Sequence, residues 1–416
     1  MDHPSAASTR VAVALVALGI ASTAPAPRAQ YTGEPPIVLR ESTIPASVFG
    51  PTVTQISQIE LTRIPGSRLL YASMTVQRSS SPGNWDPMTG TLDLRPDPPV
   101  FVELDHVAAF ATPAIEWSLT ISDDRLVAAF ERNLGTFAGF SARATPDDPF
   151  PAPVRLRAVG PFTRLRDVKL WREGGAEQLA VLAQSGDFVT YDFDRTAFTS
   201  GLPALANPRT LISAPAGNTL SGVDLLTTPA GDGSAALCSL SLDGGLTSAA
   251  AYVSGVADQE APKTFLDRGT FLGNPGSNGG TTLWPELIGS SFPHLVRLDI
   301  VATNSQILPA GAPSTLQTCV WGGCYDEIAV WVALPVYSVL GSVGLPVPGL
   351  MGALGLNPAV LLAPFPPLPI QPEFGLAAYQ VPLPPIAAGI EFHSQAVLLE
   401  PSGQLFLGNT GTYEVR

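Results

Sequence analysis

A short apolar strand returns along this chain at a nearly constant interval, and that recurrence restricts the possible folds more than any other feature. Arg68-Leu69-Leu70-Tyr71-Ala72, Arg125-Leu126-Val127-Ala128-Ala129, Gln178-Leu179-Ala180-Val181-Leu182, Ser234-Ala235-Ala236-Leu237-Cys238 and His294-Leu295-Val296-Arg297-Leu298 begin 57, 53, 56 and 60 residues apart. A period of this size marks a blade or solenoid unit rather than one globular core. Strand candidates precede the first four anchors at 56–61, 115–121, 168–171 and 223–226. Two more follow each of them, at 91–94, 137–141, 188–193 and 246–253, then at 100–104, 154–158, 209–212 and 263–266. Four strands per repeat is the composition of a propeller blade. The expectation is an all-β chain with a propeller-like array of about five four-stranded repeats over residues 54–327. A β-sandwich with irregular loops is the competing architecture.

The clearest copy is 115–132, IEWSLTISDDRLVAAFER. Ile115, Trp117, Leu119 and Ile121 alternate with Glu116, Ser118 and Thr120, the period of a half-buried strand. Ser122-Asp123-Asp124 supplies turn residues, and 126–130 resumes as an apolar strand, so the unit reads as a β-hairpin. Composition agrees: 42 Pro and 39 Gly against 14% charged residues favour strands and turns over long helices.

Glu116-Trp117-Ser118 followed by 122–130 resembles the blade signature of TolB-type and WD-repeat-like propellers, in which Trp-Ser precedes an Asp-Gly turn and an Ile-Ala-Phe type of strand. Asp124 stands where Gly is usual, and only this repeat carries the whole pattern. The resemblance implies a fold and no particular function.

The last part of the chain, 328–416, changes character. After a buried-strand candidate at 328–334 and Pro-rich stretches come 375–381, 390–399 and 405–409, separated by tight turns. Gly389, Phe392, Gln395, Glu400, Pro401, Gly403, Gly408 and Asn409 resemble the C-terminal module of secreted proteins of Planctomycetes and similar bacteria. That resemblance implies a small β-sandwich, secretion and surface display. Residues 30–53 read as a Pro-rich arm.

Residues 1–29 join Arg10, an apolar core at 11–21 and a small-residue exit, the pattern of a secretory signal peptide. The apolar core is too short for a bilayer, which needs roughly 20 residues. Export to the periplasm, cell surface or medium is therefore expected, with no transmembrane segment after the leader is removed. The net charge of −13 repels phosphate backbones and excludes nucleic acid as a partner class. A cell-surface glycan or protein is the expected kind of partner.

Chemistry is sparse. Cys319 and Cys324 flank Gly322-Gly323 in a short loop and could form a hairpin-stapling disulfide. His106, His294 and His393 lack a local partner at metal spacing and are expected to be structural. The acidic pairs Asp123-Asp124, Asp147-Asp148, Asp192/Asp194 and Asp326-Glu327 read mostly as turn caps. Asp192 and Asp194 share one strand face and are the calcium candidates, and Trp284 is an aromatic candidate for stacking on a sugar. The stretch 273–280 is Gly-rich without a phosphate-loop Lys and reads as a flexible loop over one face. No catalytic constellation stands out. The expected function is exported, non-enzymatic binding or surface display; the alternative is a secreted carbohydrate-active hydrolase or lyase with acidic residues at the propeller channel. Two carboxylates from different blades meeting in one pocket about 5 to 10 Å apart would favour the enzyme, and an apolar or filled channel would favour binding or scaffolding.

Overall fold

A computed structural model of the chain describes residues 36–416 except 65, 113–114, 133–136, 156–164, 184–185, 197–204, 229–231, 243–246, 257–260, 268–269, 274, 324–330, 340 and 372–374. Residues 1–29, expected to be a leader, and Cys324, Asp326 and Glu327 lie outside the described residues. The chain divides into two compact units, Arg40–Leu298 and a second that joins Asp299–Arg416 to the segment ending at Leu39. Strand β1 (Ile37–Pro45) runs across the boundary between Leu39 and Arg40.

The first unit is an all-β propeller. Four antiparallel sheets of four strands follow in sequence: β2 (Val53–Arg63), β3 (Leu70–Arg78), β4 (Asp86–Asp93) and β5 (Val100–His106); β6 (Glu116–Ile121), β7 (Val127–Arg132), β8 (Phe137–Ala142) and β9 (Val154–Arg155); β10 (Leu165–Glu173), β11 (Ala176–Ala183), β12 (Phe188–Phe193) and β13 (Leu205–Ile212); β14 (Thr219–Thr227), β15 (Gly233–Leu242), β16 (Thr247–Val253) and β17 (Lys263–Asp267). In a fifth sheet, β18 (Phe271–Leu272) and β19 (Gly276–Asn278) both pair with β20 (Thr281–Ile288), which pairs with β21 (Ser291–Thr303). The first strands touch in the cyclic order β2, β6, β10, β14, β19 and back to β2. That cycle is the closure of a propeller, which removes the free inner edges of its sheets.

The first four anchors fall on the second strands β3, β7, β11 and β15. The fifth, 294–298, falls on β21, one strand further out, because β20 takes the second place in that sheet. The stretch 273–280 also departs from expectation: it carries the innermost strand β19, not a covering loop. A side chain at Gly276 would bring a Cβ to 2.4 Å from the Ile59 carbonyl oxygen, so only glycine lets this strand approach β2 so closely.

Apolar layers fill the space between neighbouring sheets. Leu119, Phe130 and Phe150 pack with Tyr71 and Phe110 between the first two; Phe140 and Val127 pack with Val168, Leu179 and Phe193 between the next two; Trp171 and Phe188 pack with Val223 and Cys238 after them. Burying each such aromatic or branched side chain contributes about 1.5–3 kcal/mol, and this alternation of apolar residues is the period read from 115–132.

In the second unit, the last residues of β21 pair with β23 (Ser314–Trp321), following the short β22 (Gln306–Leu308). The chain continues through β24 (Val332–Ser338), β25 (Gly341–Pro346), β26 (Leu350–Met351), β27 (Ala353–Leu356), β28 (Leu368–Pro369), β29 (Leu376–Leu383), β30 (Glu391–Leu399) and β31 (Leu405–Val415). One sheet pairs β23 with β29; another has the order β22-β31-β30-β24-β28. Val301, Val320 and Ala377 from the first share a core with Ala333, Ala396 and Leu398 from the second.

Candidate functional site

The inner strands carry polar residues at alternating positions, and these answer one another around the ring. Gln58 of β2 brackets Leu119 of β6, accepting its N–H at 2.6 Å and donating to its carbonyl at 2.9 Å. Ser118 and Thr120 of β6 accept from Val168 and Leu170 of β10 at 3.1 and 3.2 Å. Asp167 of β10 accepts from Val223 of β14 at 2.8 Å, and Asp224 of β14 accepts from Ser277 of β19 at 2.5 Å. Each of the first four blades thus satisfies backbone donors of the next, which would otherwise be buried and unpaired.

Lys169 stands at the middle of this ring. Its Nζ lies 3.4 Å from Asp224 Oδ1, 3.8 Å from Glu60 Oε1 and 3.4 Å from the Pro275 carbonyl. These partners come from β14, β2 and the segment leading into β19, none of which pairs with β10, so the ammonium reaches across the ring. Thr120 donates to Glu60 Oε1 at 2.8 Å. The Lys169 side chain is only 2% exposed, and Asp167 is fully buried.

Burial governs the protonation of the cluster. It pushes the Glu60 carboxyl up to about 8, against the pull of Lys169, with Asp224 and Asp167 adding to the rise. The same desolvation pushes Asp167 to about 7, opposed by Lys169 and by the Val223 amide. Burial alone would lower Lys169, but the surrounding carboxylates outweigh it and hold the ammonium charged. Near neutral pH Glu60 and Asp167 therefore keep part of their protons beside the Lys169 ammonium. Glu60 Oε2 and Asp167 Oδ1 are buried and have no hydrogen-bond partner among the described residues. Carboxylates from three blades do converge at the axis, and Lys169 fills the place where they meet.

An accessible concavity lies elsewhere in this unit. A cleft of about 540 Å³ opens between the first two blades. Its first wall is one face of blade one, where Tyr71, Thr91 and Glu103 are cross-strand neighbours and Thr89 faces Asp105. The second wall is the turn after β6 and the loop between β8 and β9. Ser122 closes that turn by accepting from Arg125 N at 2.7 Å, and Asp124 accepts from Leu126 N at 3.1 Å. Arg125 closes it with φ +59°, the left-handed conformation that glycine usually supplies in such hairpins. Its guanidinium lies 5.6 Å from the centre of the Tyr71 ring. Arg143 lies 4.2 Å over Phe150 and donates Nε to the Arg125 carbonyl at 2.7 Å and Nη1 to the Asp148 carbonyl at 2.8 Å.

The residues singled out from sequence are scattered. Asp192 is exposed on β12 and engaged by Gln178 at 3.0 Å and Asn207 at 2.7 Å, which hold its carboxyl below the usual range. Asp194 accepts both from the Thr196 N–H and from its hydroxyl. No group of three or more metal-ligating side chains occurs among the described residues. Trp284 is wholly buried, packs on Phe265 and donates to Ser239 at 2.9 Å, so its ring offers no face to solvent. Cys319 is buried in β23, and its candidate partner Cys324 lies outside the described residues. His294 does have an acidic neighbour, Glu286 at 2.6 Å on the facing strand. His106 lies 3.9 Å from Asp86, and His393 is buried near Glu391 and Thr412. No described helix is long and apolar enough to cross a membrane.

Five sheets closed around a buried ion cluster, with an open cleft between two blades, define a class: a propeller with a filled axis. No family model and no curated protein matches the chain. Among solved structures it is similar to the Bacteroides ovatus xyloglucan-locus protein GH43B (8% identity, TM-score 0.41, 90% of this chain and 96% of that one). It is also similar to a GH43_1 enzyme from Xanthomonas citri (10%, TM-score 0.42, 70% and 93%) and to the Cps50 (Swd1) propeller domain of Myceliophteria thermophila (10%, TM-score 0.31, 68% and 86%).

Proposed function

We propose that this is an exported, non-enzymatic binding or surface-display protein whose ligand enters the cleft between the first and second blades. The observation that carries the reading is the filled axis. Glu60, Asp167 and Asp224 converge, yet Lys169 occupies their meeting point, and no substrate can reach the carboxylates without breaking the ring of side-chain bonds around them. General acid–base catalysis needs a carboxyl within hydrogen-bond reach of a bound substrate. The cleft, by contrast, is open, of ligand size and lined by polar groups on aromatic supports.

The leader pattern of 1–29 supports export, and the residue pattern of 389–409 supports a C-terminal β-sandwich used for display. A glycan array followed by calorimetry on the purified chain tests binding; silence across all glycans and surface proteins removes it. Fractionation of cells expressing the full sequence tests export, and retention in the cytoplasm counts against it.

A second reading, a secreted carbohydrate-active enzyme, is favoured by the convergence of carboxylates from three blades. It requires the axis to open. Release of sugar from a panel of aryl glycosides and polysaccharides, lost in Glu60→Gln, would establish it over the binding reading.

A further inference from the structure

Resting on the reading that the cleft binds a ligand, we infer that the ligand is a sugar bearing one carboxylate, a single uronic acid in an otherwise neutral oligosaccharide. Two guanidinium groups line the cleft. Arg143 is held over Phe150 at 4.2 Å and directs two donors to backbone carbonyls, those of Arg125 and Asp148. Those bonds fix its plane without bringing a carboxylate into contact with its charge. Its remaining nitrogen, Nη2, is buried with no hydrogen-bond partner among the described residues. Arg125 lies over Tyr71 and is kept in a left-handed backbone conformation that costs free energy for a non-glycine residue. Strain of this kind is concentrated at functional positions. Arg125 offers a fork that rests on Tyr71, and Arg143, tied to the Arg125 carbonyl, adds a fixed positive charge behind it; the pair suits the planar, two-oxygen geometry of a carboxylate.

The rest of the cleft narrows the choice. Glu103 and Asp105 are exposed on one face of β5, and Asp147 is exposed in the opposing loop. These three carboxylates repel a phosphorylated or sulfated polyanion and accept hydrogen bonds from hydroxyl groups. One carboxylate amid several hydroxyls is the pattern of a uronate.

The test is calorimetry of the full chain with a galactose trimer ending in one galacturonic acid, its methyl ester and the wholly neutral galactose trimer. The free acid should bind, with affinity reduced roughly 10-fold or more on esterification and in Arg125→Gln, the loss expected for a charged hydrogen bond. Glu103→Gln, which keeps both guanidiniums, should preserve the preference for acid over ester. Equal binding of acid and ester, or an undiminished affinity in Arg125→Gln, overturns the inference while leaving a binding protein. Absence of binding by all three saccharides overturns it as well. Cleavage of the trimer would refute the non-enzymatic reading and leave the carboxylate preference standing.

Discussion

The axis and the cleft of the first unit use the same kinds of side chain in opposite ways, and residues of one hairpin serve both. Thr120 from β6 bonds Glu60 at the axis, and five residues later Arg125 faces the cleft. At the axis each charge meets an opposite charge or a backbone donor, and burial removes the cluster from solvent. In the cleft Arg125 and Arg143 rest on aromatic rings and spend their bonds on carbonyls or not at all. Polar groups that answer one another specify the ring; groups left unanswered at an open surface are available to a ligand. The contrast yields measurable consequences, largest at the axis.

Lys169→Met breaks the contrast most sharply. It leaves Glu60, Asp167 and Asp224 buried without their cation, and removing one partner of a buried pair costs about 3–5 kcal/mol. The urea midpoint of the variant should drop accordingly. Lys169→Met combined with Asp224→Asn should recover part of the loss, because one unpaired charge goes with it. A single variant as stable as the parent would show that the ammonium is not what closes the axis.

The pH dependence follows from the same cluster. Glu60 titrates near 8 in the folded chain against 4.5 as a free side chain, and Asp167 near 7 against 3.8. The folded state holds protons that the unfolded chain releases, so stability falls as pH rises through these windows. The contribution is fully present below about pH 4 and gone above about pH 8. Glu60→Gln removes its share, so the stability of the parent relative to this variant should fall by an amount on the order of a few kcal/mol between about pH 5 and about pH 9. Parallel pH profiles of the two proteins would refute a proton held at Glu60.

Much of the fold was legible because it rests on local periodicity. The alternation in 115–121, the turn at 122–124 and the resumption at 126–130 reappear as β6, its turn and β7. The fifth repeat slipped by one strand because β18 and β19 are too short to show a period and lie in a Gly-rich segment. The axial cluster was not legible. Asp167 and Lys169 share β10, but Glu60, Asp224 and Ser277 stand in three other strands, and only ring closure brings the five together. The doublets that looked acidic in sequence, such as Asp123-Asp124 and Asp147-Asp148, ended in turns and loops. A readable signal did exist: a charged residue between two apolar ones in the first strand of three repeats, Glu60, Lys169 and Asp224.

The smallest effect separates stability from binding within the cleft. A non-glycine residue in the left-handed conformation costs about 1–2 kcal/mol, while an exposed cation–π contact returns about 0.5–1 kcal/mol. Arg125→Gly relieves the first and forfeits the second, so the variant should be more stable by about 0.5–1 kcal/mol in urea. Arg125→Ala forfeits the contact and keeps the strain, and should be less stable by about 0.5–1 kcal/mol. Both should lose the preference for a carboxylated sugar. A stability gain in Arg125→Gly together with that loss would mean that Arg125 is kept for what it binds; a gain with binding intact would make the left-handed arginine a tolerated irregularity of the turn and overturn its role in selecting a carboxylate.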